Sequence, residues 1–372
     1  HSFFKEMKSF RDAWHGQCNF TLHYPGLIEK LRNENYDGAF SEPVCMCGFA
    51  LFNLIGIKNY AISLSISSSE GTFDSSGAPS FPSYIPSTLG IHGERMSFFE
   101  RLHNLFNHLA VNLFYPGIRD PFDEMFRQRF GKEAKGVDVR ILSSIMIFQA
   151  ILRNSSFYFV NAEPLIDFPK MLTHKVIDIG GISVSSGHNP INEFPDVTFI
   201  WKYEKPEDKI REGIDNLIES TGTPQNDLMY DPRLSLFITH CGQGSTIEAV
   251  TAGVPLIVIP ILGDRQRNAQ VIKRIGTGIM LEKTSLVKSE ELVEAIGKML
   301  NTNEFSNKAR LVGEMIRNRP FTAPELFVKN MEFMARFGPL RSNYCDHCRQ
   351  LDHYGQQLNF FQYYLIDVLA FL

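Results

Sequence analysis

Two rhythms of apolar and polar positions run along this 372-residue chain. One has the three-and-four spacing of a helix face, the other the short continuous runs of buried strands. In the first half, residues 26–33 read as helix, 36–40 as a short buried strand, 44–54 as an apolar helix and 60–64 as a second strand. Residues 65–86, rich in Ser, Gly and Pro, read as a long surface loop near a binding cleft. Helical spacing returns over 96–113 and 137–151, followed by strand-like runs at 157–160 and 177–182. A Ser/Gly/Asn/Pro segment at 183–192 reads as a linker, and a strand at 198–203 follows it. Strands at 234–239 and 253–260 are then each followed by a helix, at 246–252 and 268–275.

This alternation predicts an α/β fold with parallel sheets, and the length predicts two domains. The expected divisions are 1–182, a linker at 183–195, a second domain at 196–340, a juxtamembrane segment at 341–357 and a terminal apolar run at 358–372. In that run Asp367 is the only charge. A bilayer span needs about 20 such residues, so the run reads either as a packed terminal helix or as the start of a transmembrane helix cut by the chain end.

Composition narrows the function classes. With 37 Lys+Arg against 41 Asp+Glu and a formal charge of −4, no basic field exists to hold a polyanion, and nucleic acid is not expected as a partner. Six cysteines are too few for a disulfide scaffold and leave the redox compartment open. Cys345-Asp346-His347-Cys348, with His353 nearby, holds one half of a zinc pattern and lacks the second pair, so no metal is expected. Asn19 and Asn154 open N-glycosylation tripeptides, which matter only in the secretory pathway.

The densest signal is His240-Cys241-Gly242-Gln243-Gly244-Ser245, directly after an apolar strand and before a helix. A glycine turn in that position aims backbone N–H groups and a helix dipole at an anion, commonly a diphosphate. Ser245 adds a hydroxyl donor, and Glu248 supplies a carboxylate able to accept from ribose hydroxyls. Glycine spacing alone fits an ordinary strand-turn-helix better. Context changes this, because the next strand ends at Pro260-Ile261-Leu262-Gly263-Asp264-Arg265. Two neighbouring strand ends then present polar groups at one edge of a parallel sheet, where open α/β sheets bind ligands.

Pro224-Gln225-Asn226-Asp227, Phe237-Ile238-Thr239-His240-Cys241-Gly242, Gly253-Val254-Pro255 and Gly263-Asp264, in this order, resemble the donor-binding signature of UDP-glycosyltransferases, especially the UDP-glucuronosyltransferases. Similarity extends from Leu31-Arg32 and Glu42-Pro43 to Leu358-Asn359-Phe360-Phe361-Gln362-Tyr363-Tyr364, over nearly the whole chain. The resemblance implies two facing Rossmann-like domains of the GT-B type, the first binding acceptor and the second UDP-sugar. It implies no cofactor, the UDP-sugar being a co-substrate. Carried over residue by residue, Gln225 holds the nucleoside, His240, Gly242 and Ser245 the diphosphate, Glu248 the ribose, and Asp264 the sugar hydroxyls, and Asn226, Gly244 and Arg265 belong to the same UDP-sugar site. Glu42 falls where the family's acid orients a catalytic histidine, a pairing suited to general-base removal of the acceptor proton; by itself it reads as a capping or surface carboxylate.

The activity implied is inverting, metal-independent transfer of glucuronic acid, or another hexose, from a UDP-sugar to a hydroxyl of a small lipophilic acceptor. The implied partners are UDP-glucuronic acid or another UDP-hexose, the acceptor, the membrane through the C-terminal helix, and a homo- or hetero-oligomer. The implied place is the endoplasmic reticulum membrane, single-pass, with the catalytic part lumenal.

Several departures from the family pattern are expected to matter. None of the eleven histidines matches the family's catalytic position, and the chain is expected to begin downstream of it. A strand–turn–helix unit of the family has no counterpart around 190–197, so an unpaired sheet edge is expected in the second half. Gly222 stands in the place of a tryptophan that stacks on uracil. Arg265 replaces a glutamine, and either pairs with a glucuronate carboxylate or breaks the sugar contacts, with impairment slightly favoured. A catalytically inactive relative that binds UDP-sugar or serves as a membrane subunit is the alternative reading.

Overall fold

The computed structural model describes residues 2–43, 47–67, 70, 76–111, 152–182, 198–203, 205–208, 212, 216–284, 289–340 and 362. The expected helix at 137–151, the linker at 183–192 and the Cys345–Cys348 pattern lie outside the described residues, as does the terminal apolar run apart from Gln362. Among the described residues no helix is long and apolar enough to cross a membrane.

Helices α1 (Ser2–His23) and α2 (Leu27–Asn33) lead into strand β1 (Ala39–Ser41), helix α3 (Cys47–Ile55) and strand β2 (Tyr60–Leu64). Helix α4 (98–111) follows, then β3 (Tyr158–Val160) and β4 (Val176–Asp178). These strands form a parallel four-stranded sheet in the order β1-β2-β3-β4. Its core gathers Leu22, Phe49, Phe52, Ile62, Leu152 and Tyr158. A disulfide between Cys18 and Cys47, with Cα atoms 5.5 Å apart, ties α1 to α3; cysteine count alone did not reveal it.

Two expectations for this half need correction. The strand expected at 36–40 is Ala39–Ser41 and is not buried: Tyr36 and Phe40 are exposed. Among the described residues β1 pairs only with β2, and an edge strand of three residues has little to cover it. The stretch 65–86 is not simply a surface loop, since Ser67, Glu70, Ala78, Ser80 and Ile85 are buried. Polar anchors pull it in: the Glu70 carboxylate accepts from Thr88 N–H at 2.9 Å and from its hydroxyl at 2.7 Å.

In the second half, β5 (Phe199–Lys202) and β6 (Leu217–Ser220) precede helix α5 (Gln225–Met229). Then come β7 (Phe237–Thr239), α6 (Gln243–Ala252), β8 (Leu256–Val258), α7 (Arg265–Ile275) and β9 (Gly278–Met280). Helices α8 (Ser289–Asn301), α9 (Glu304–Arg317) and α10 (Ala323–Phe337) complete it. β7-β8-β9 make a parallel three-stranded sheet and β5-β6 a separate parallel pair. No strand joins them among the described residues. Trp201 on β5 and Ile238 on β7 are 49% and 38% exposed, so apolar side chains stand at the two edges that a joining strand would cover.

α10 returns the chain to the first sheet. Thr322 and Glu325 form a reciprocal capping box at its start. Phe327 then packs against Phe40 and Phe159, with ring centroids 5.2 and 4.6 Å apart, and Asn59 Nδ2 donates to the Met334 carbonyl at 2.6 Å.

Candidate donor-nucleotide site

The turn between β7 and α6 is built by its two unusual residues. Cys241 has φ 67°, a left-handed conformation rare for a residue with a side chain, and it swings the chain from strand into helix. Burial pushes its thiol up to about 12, so Cys241 is packing rather than a nucleophile. At Gly242 a Cβ would lie 2.8 Å from His240 Nε2; the imidazole rests on that bare Cα. α6 begins at Gln243, three residues before the expected start, because Gly242 supplies the N-cap and its carbonyl accepts from Thr246 N–H at 3.0 Å. Gly244 therefore lies in the first turn, where an added Cβ would meet nothing within 4 Å. Backbone N–H groups at that open end suit an anion.

Three of the sequence-predicted residues converge beside this helix end. Gln225 Nε2 donates to Glu248 Oε2 at 2.6 Å and to Ser245 Oγ at 3.1 Å, which brings α5 against α6. Asn226 neighbours Gln225 on α5 and its Oδ1 is buried. At the end of β8 the chain enters α7, which begins at Arg265, again three residues earlier than expected, with Asp264 at the N-cap. Asn268 holds this corner, donating from Nδ2 to Asp264 Oδ2 at 3.0 Å and to the Cys241 carbonyl at 3.1 Å. The two strand ends are thus tied together by a residue that sequence reasoning did not single out. Burial and the Arg265 charge lower the His240 pKa, with Asp264 opposing, which leaves a neutral imidazole at pH 7.

Glu42 lies apart from this cluster, after β1, where its Oε2 accepts from Ser65 N–H at 2.7 Å. A hydrogen-bond path nevertheless connects the two. Asn161 Nδ2 donates to the Ser65 carbonyl at 2.9 Å, and Gln243 Nε2 donates to the Asn161 carbonyl at 2.7 Å. Gly222, whose added Cβ would also meet nothing within 4 Å, precedes the first residue of α5 by three positions.

Ion pairs fasten the halves on the other side of α7. Arg267 Nη2 meets Asp167 Oδ1 at 2.7 Å, and Lys170 Nζ meets Asp167 Oδ2 at 2.7 Å. Burial works against ionisation of Asp167, but Arg267 and Lys170 outweigh it and hold the carboxyl well below the usual carboxylate range. Arg319 pairs with Glu163, but there burial prevails over the guanidinium and raises the carboxyl's pKa. Arg267 and Asn268 are buried on α7; polar side chains on the core stripe of a helix were the available sign of these contacts.

The chain has the fold of GT-B glycosyltransferases. The glycotransferase of kitacinnamycin superposes with a TM-score of 0.56 at 13% identity, covering 88% of this chain and 83% of that one. The sequence carries the identification further. Residues 1–197 and 189–372 match the family profile described as UDP-glucoronosyl and UDP-glucosyl transferase, and the chain belongs to that family of UDP-glycosyltransferases. The protein ugt-48 of Caenorhabditis elegans is 26% identical over 97% of this chain and 73% of its own length. UDP-glucuronosyltransferase 1A3 of Homo sapiens is 24% identical over all of this chain and 72% of its own length.

Proposed function

We propose that this UDP-glycosyltransferase transfers glucuronic acid, or another hexose, to a hydroxyl of a small lipophilic acceptor, with inversion and without metal or other cofactor. The observation that carries the reading is the convergence of Gln225, Ser245 and Glu248 at the open end of α6, within one sheet edge of His240, Asp264 and Arg265. In this reading α6 N–H groups, Ser245 and His240 stabilise the charge that develops on the departing diphosphate. Glu248 and Gln225 receive the nucleoside, with Asn226 behind them. Asp264 receives sugar hydroxyls, and Arg265 presents a guanidinium of the shape that pairs with a glucuronate carboxylate. Glu42 stands in the place of the family's orienting acid, with no histidine of this sequence at the position of the base, and residues 1–182 form the acceptor side opposite the donor half at 196–340.

We assign the chain to the lumenal side of the endoplasmic reticulum membrane, with the apolar run at 358–372 as its anchor. The Cys18–Cys47 disulfide supports an oxidising compartment, and the resemblance supplies the membrane. Calorimetric titration with UDP, UDP-glucuronic acid and UDP-glucose tests the donor side. His240→Ala should weaken UDP roughly tenfold or more, as expected on losing a hydrogen bond to a charged group. Arg265→Gln should weaken UDP-glucuronic acid while leaving UDP-glucose unchanged. Saturable UDP binding that is indifferent to His240 would sink the site, and equal loss of both sugars in Arg265→Gln would remove the glucuronate preference.

A further inference from the structure

Helix α7 carries Asp264 at its N-cap, yet its polar stripe grips the other half of the molecule. Arg267, Gln270 and Arg274, at spacings of three and four, share one face. Arg267 Nη2 donates to Asp167 Oδ1 at 2.7 Å, Gln270 Nε2 to the Ile91 carbonyl at 2.9 Å, and Arg274 Nη1 to the Asp167 carbonyl at 3.2 Å. Both guanidinium groups also lie over the Phe168 ring, 5.1 and 5.6 Å from its centroid. Ala269 and Ile272 of the same helix belong to the core that holds Leu256 and Val258 of β8. The helix is seated in its own half by apolar contacts and aimed by residues of the first half.

Asp167 is the junction of this grip. Its Oδ2 accepts from Ser67 Oγ and from Lys170 Nζ, both at 2.7 Å, and Lys170 Nζ also donates to Ser67 Oγ at 2.9 Å. Asp167, Ser67 and Arg267 are 8%, 6% and 3% exposed, so these charge-assisted bonds are shielded from water and salt. Ser67 stands two residues after Ser65, whose N–H meets Glu42. At the other end, Arg267 follows Asp264 by three residues, less than one helical turn. The Asp264 side chain does not cap its own helix; Asn268 Nδ2 holds its Oδ2 at 3.0 Å instead. A carboxylate fixed this way takes its position from the helix, and the helix takes its aim from Asp167.

We propose that Ser67, Asp167 and Arg267 are positioning residues for Asp264: through them the first half sets where the sugar-binding end of α7 stands, and so how strongly the donor's hexose is held. This rests on the transferase reading, which places the sugar at Asp264 and the nucleotide at α5 and α6. The nucleotide contacts belong to Gln225, Glu248, His240 and Ser245, outside the stripe. The grip therefore bears on the sugar and little on UDP.

The test is calorimetric titration of the full chain with UDP and with UDP-glucose, whose sugar has no carboxylate for Arg265. The quantity read is the ratio of the two dissociation constants. Asp264→Ala should shift that ratio against UDP-glucose roughly tenfold, and Arg267→Gln roughly fivefold, with the UDP constant moving less than about twofold. Arg267→Lys, which keeps a cation at Asp167, should recover most of the loss. Ser67→Ala leaves α7 and the buried ion pair intact and should shift the ratio in the same direction by about twofold; if Arg267→Gln does not fold, this variant decides. Combining Arg267→Gln with Asp264→Ala should add nothing to Asp264→Ala alone, because the relay acts through that carboxylate. Additive shifts, equal weakening of UDP and UDP-glucose, or a ratio unmoved by Arg267→Gln and Ser67→Ala overturn the proposal and leave the donor site standing. A ratio unmoved by Asp264→Ala overturns the sugar assignment and the relay together. Wild-type protein that binds no UDP overturns the donor-site reading itself, and the relay with it.

Discussion

Gln243 Nε2 donates to the backbone carbonyl of Asn161 at 2.7 Å, joining the first residue of α6 to the residue that follows β3. The donor-side helix end is therefore positioned by the first sheet as well as by its own. Gln243→Ala removes one neutral hydrogen bond, about 1 kcal/mol. Transfer turnover should fall roughly fivefold, while the UDP dissociation constant moves less, because Gln243 positions α6 relative to Glu42. Titration and turnover on the same variant separate the two effects.

Gly222 leaves open space at the approach to α5. Gly222→Trp should supply a stacking face for a base, and stacking contributes about 1–3 kcal/mol. Roughly tenfold tighter UDP binding is expected, with inorganic pyrophosphate binding unchanged. An equal gain for pyrophosphate would show that the new ring acts on something other than the base.

Asp178, on β4, has a buried Oδ1 without a hydrogen-bond partner among the described residues. Burial first, with Asp167 and Glu163 adding to it against Lys170, pushes its pKa to about 6. The folded state thus holds this proton more tightly than the unfolded chain. The stability gained is fully present below the unfolded carboxylate value, and it is lost as pH rises through about 6. Asp178→Asn should stabilise the protein by up to about 3 kcal/mol at neutral pH and by almost nothing near pH 4. Denaturant midpoints across that range give the difference.

The separate β5-β6 pair makes a prediction about cooperativity. A two-stranded unit is marginal by itself, so amide protons of Phe199–Lys202 should exchange faster than those of Leu256–Val258, which sit between two strands. Equal protection of β5 and β8 would mean that β5 is covered by something beyond its single partner.

What the sequence revealed was local. The strand at 60–64 and the polar ends of β7 and β8 follow from short apolar runs and the residues adjoining them. The early starts of α6 and α7 did not follow, since Gly-Gln-Gly-Ser and Gly-Asp-Arg carry turn chemistry that the structure uses as a helix entrance. The contact between Asn59 and Met334 leaves no periodic trace because its partners are distant in the chain, and the polar residue on the core stripe of α7 marks Arg267 as buried without naming Asp167 as its partner. In α4 the helical spacing was legible but the direction of its faces was not: Asn104 turns inward, donating to the Pro82 and Ile85 carbonyls and accepting from Ser87 N–H.

The disulfide between Cys18 and Cys47 spans 29 positions, and that interval contains α2, β1 and Glu42. Closing it shortens the paths open to this stretch before it folds. The neighbourhood of the carboxylate that stands in the place of the family's orienting acid is therefore completed by an oxidation. Chain made where thiols stay reduced would keep its nucleotide-side turn and lack the finished geometry on the other side, so the two halves of the site mature by different chemistry.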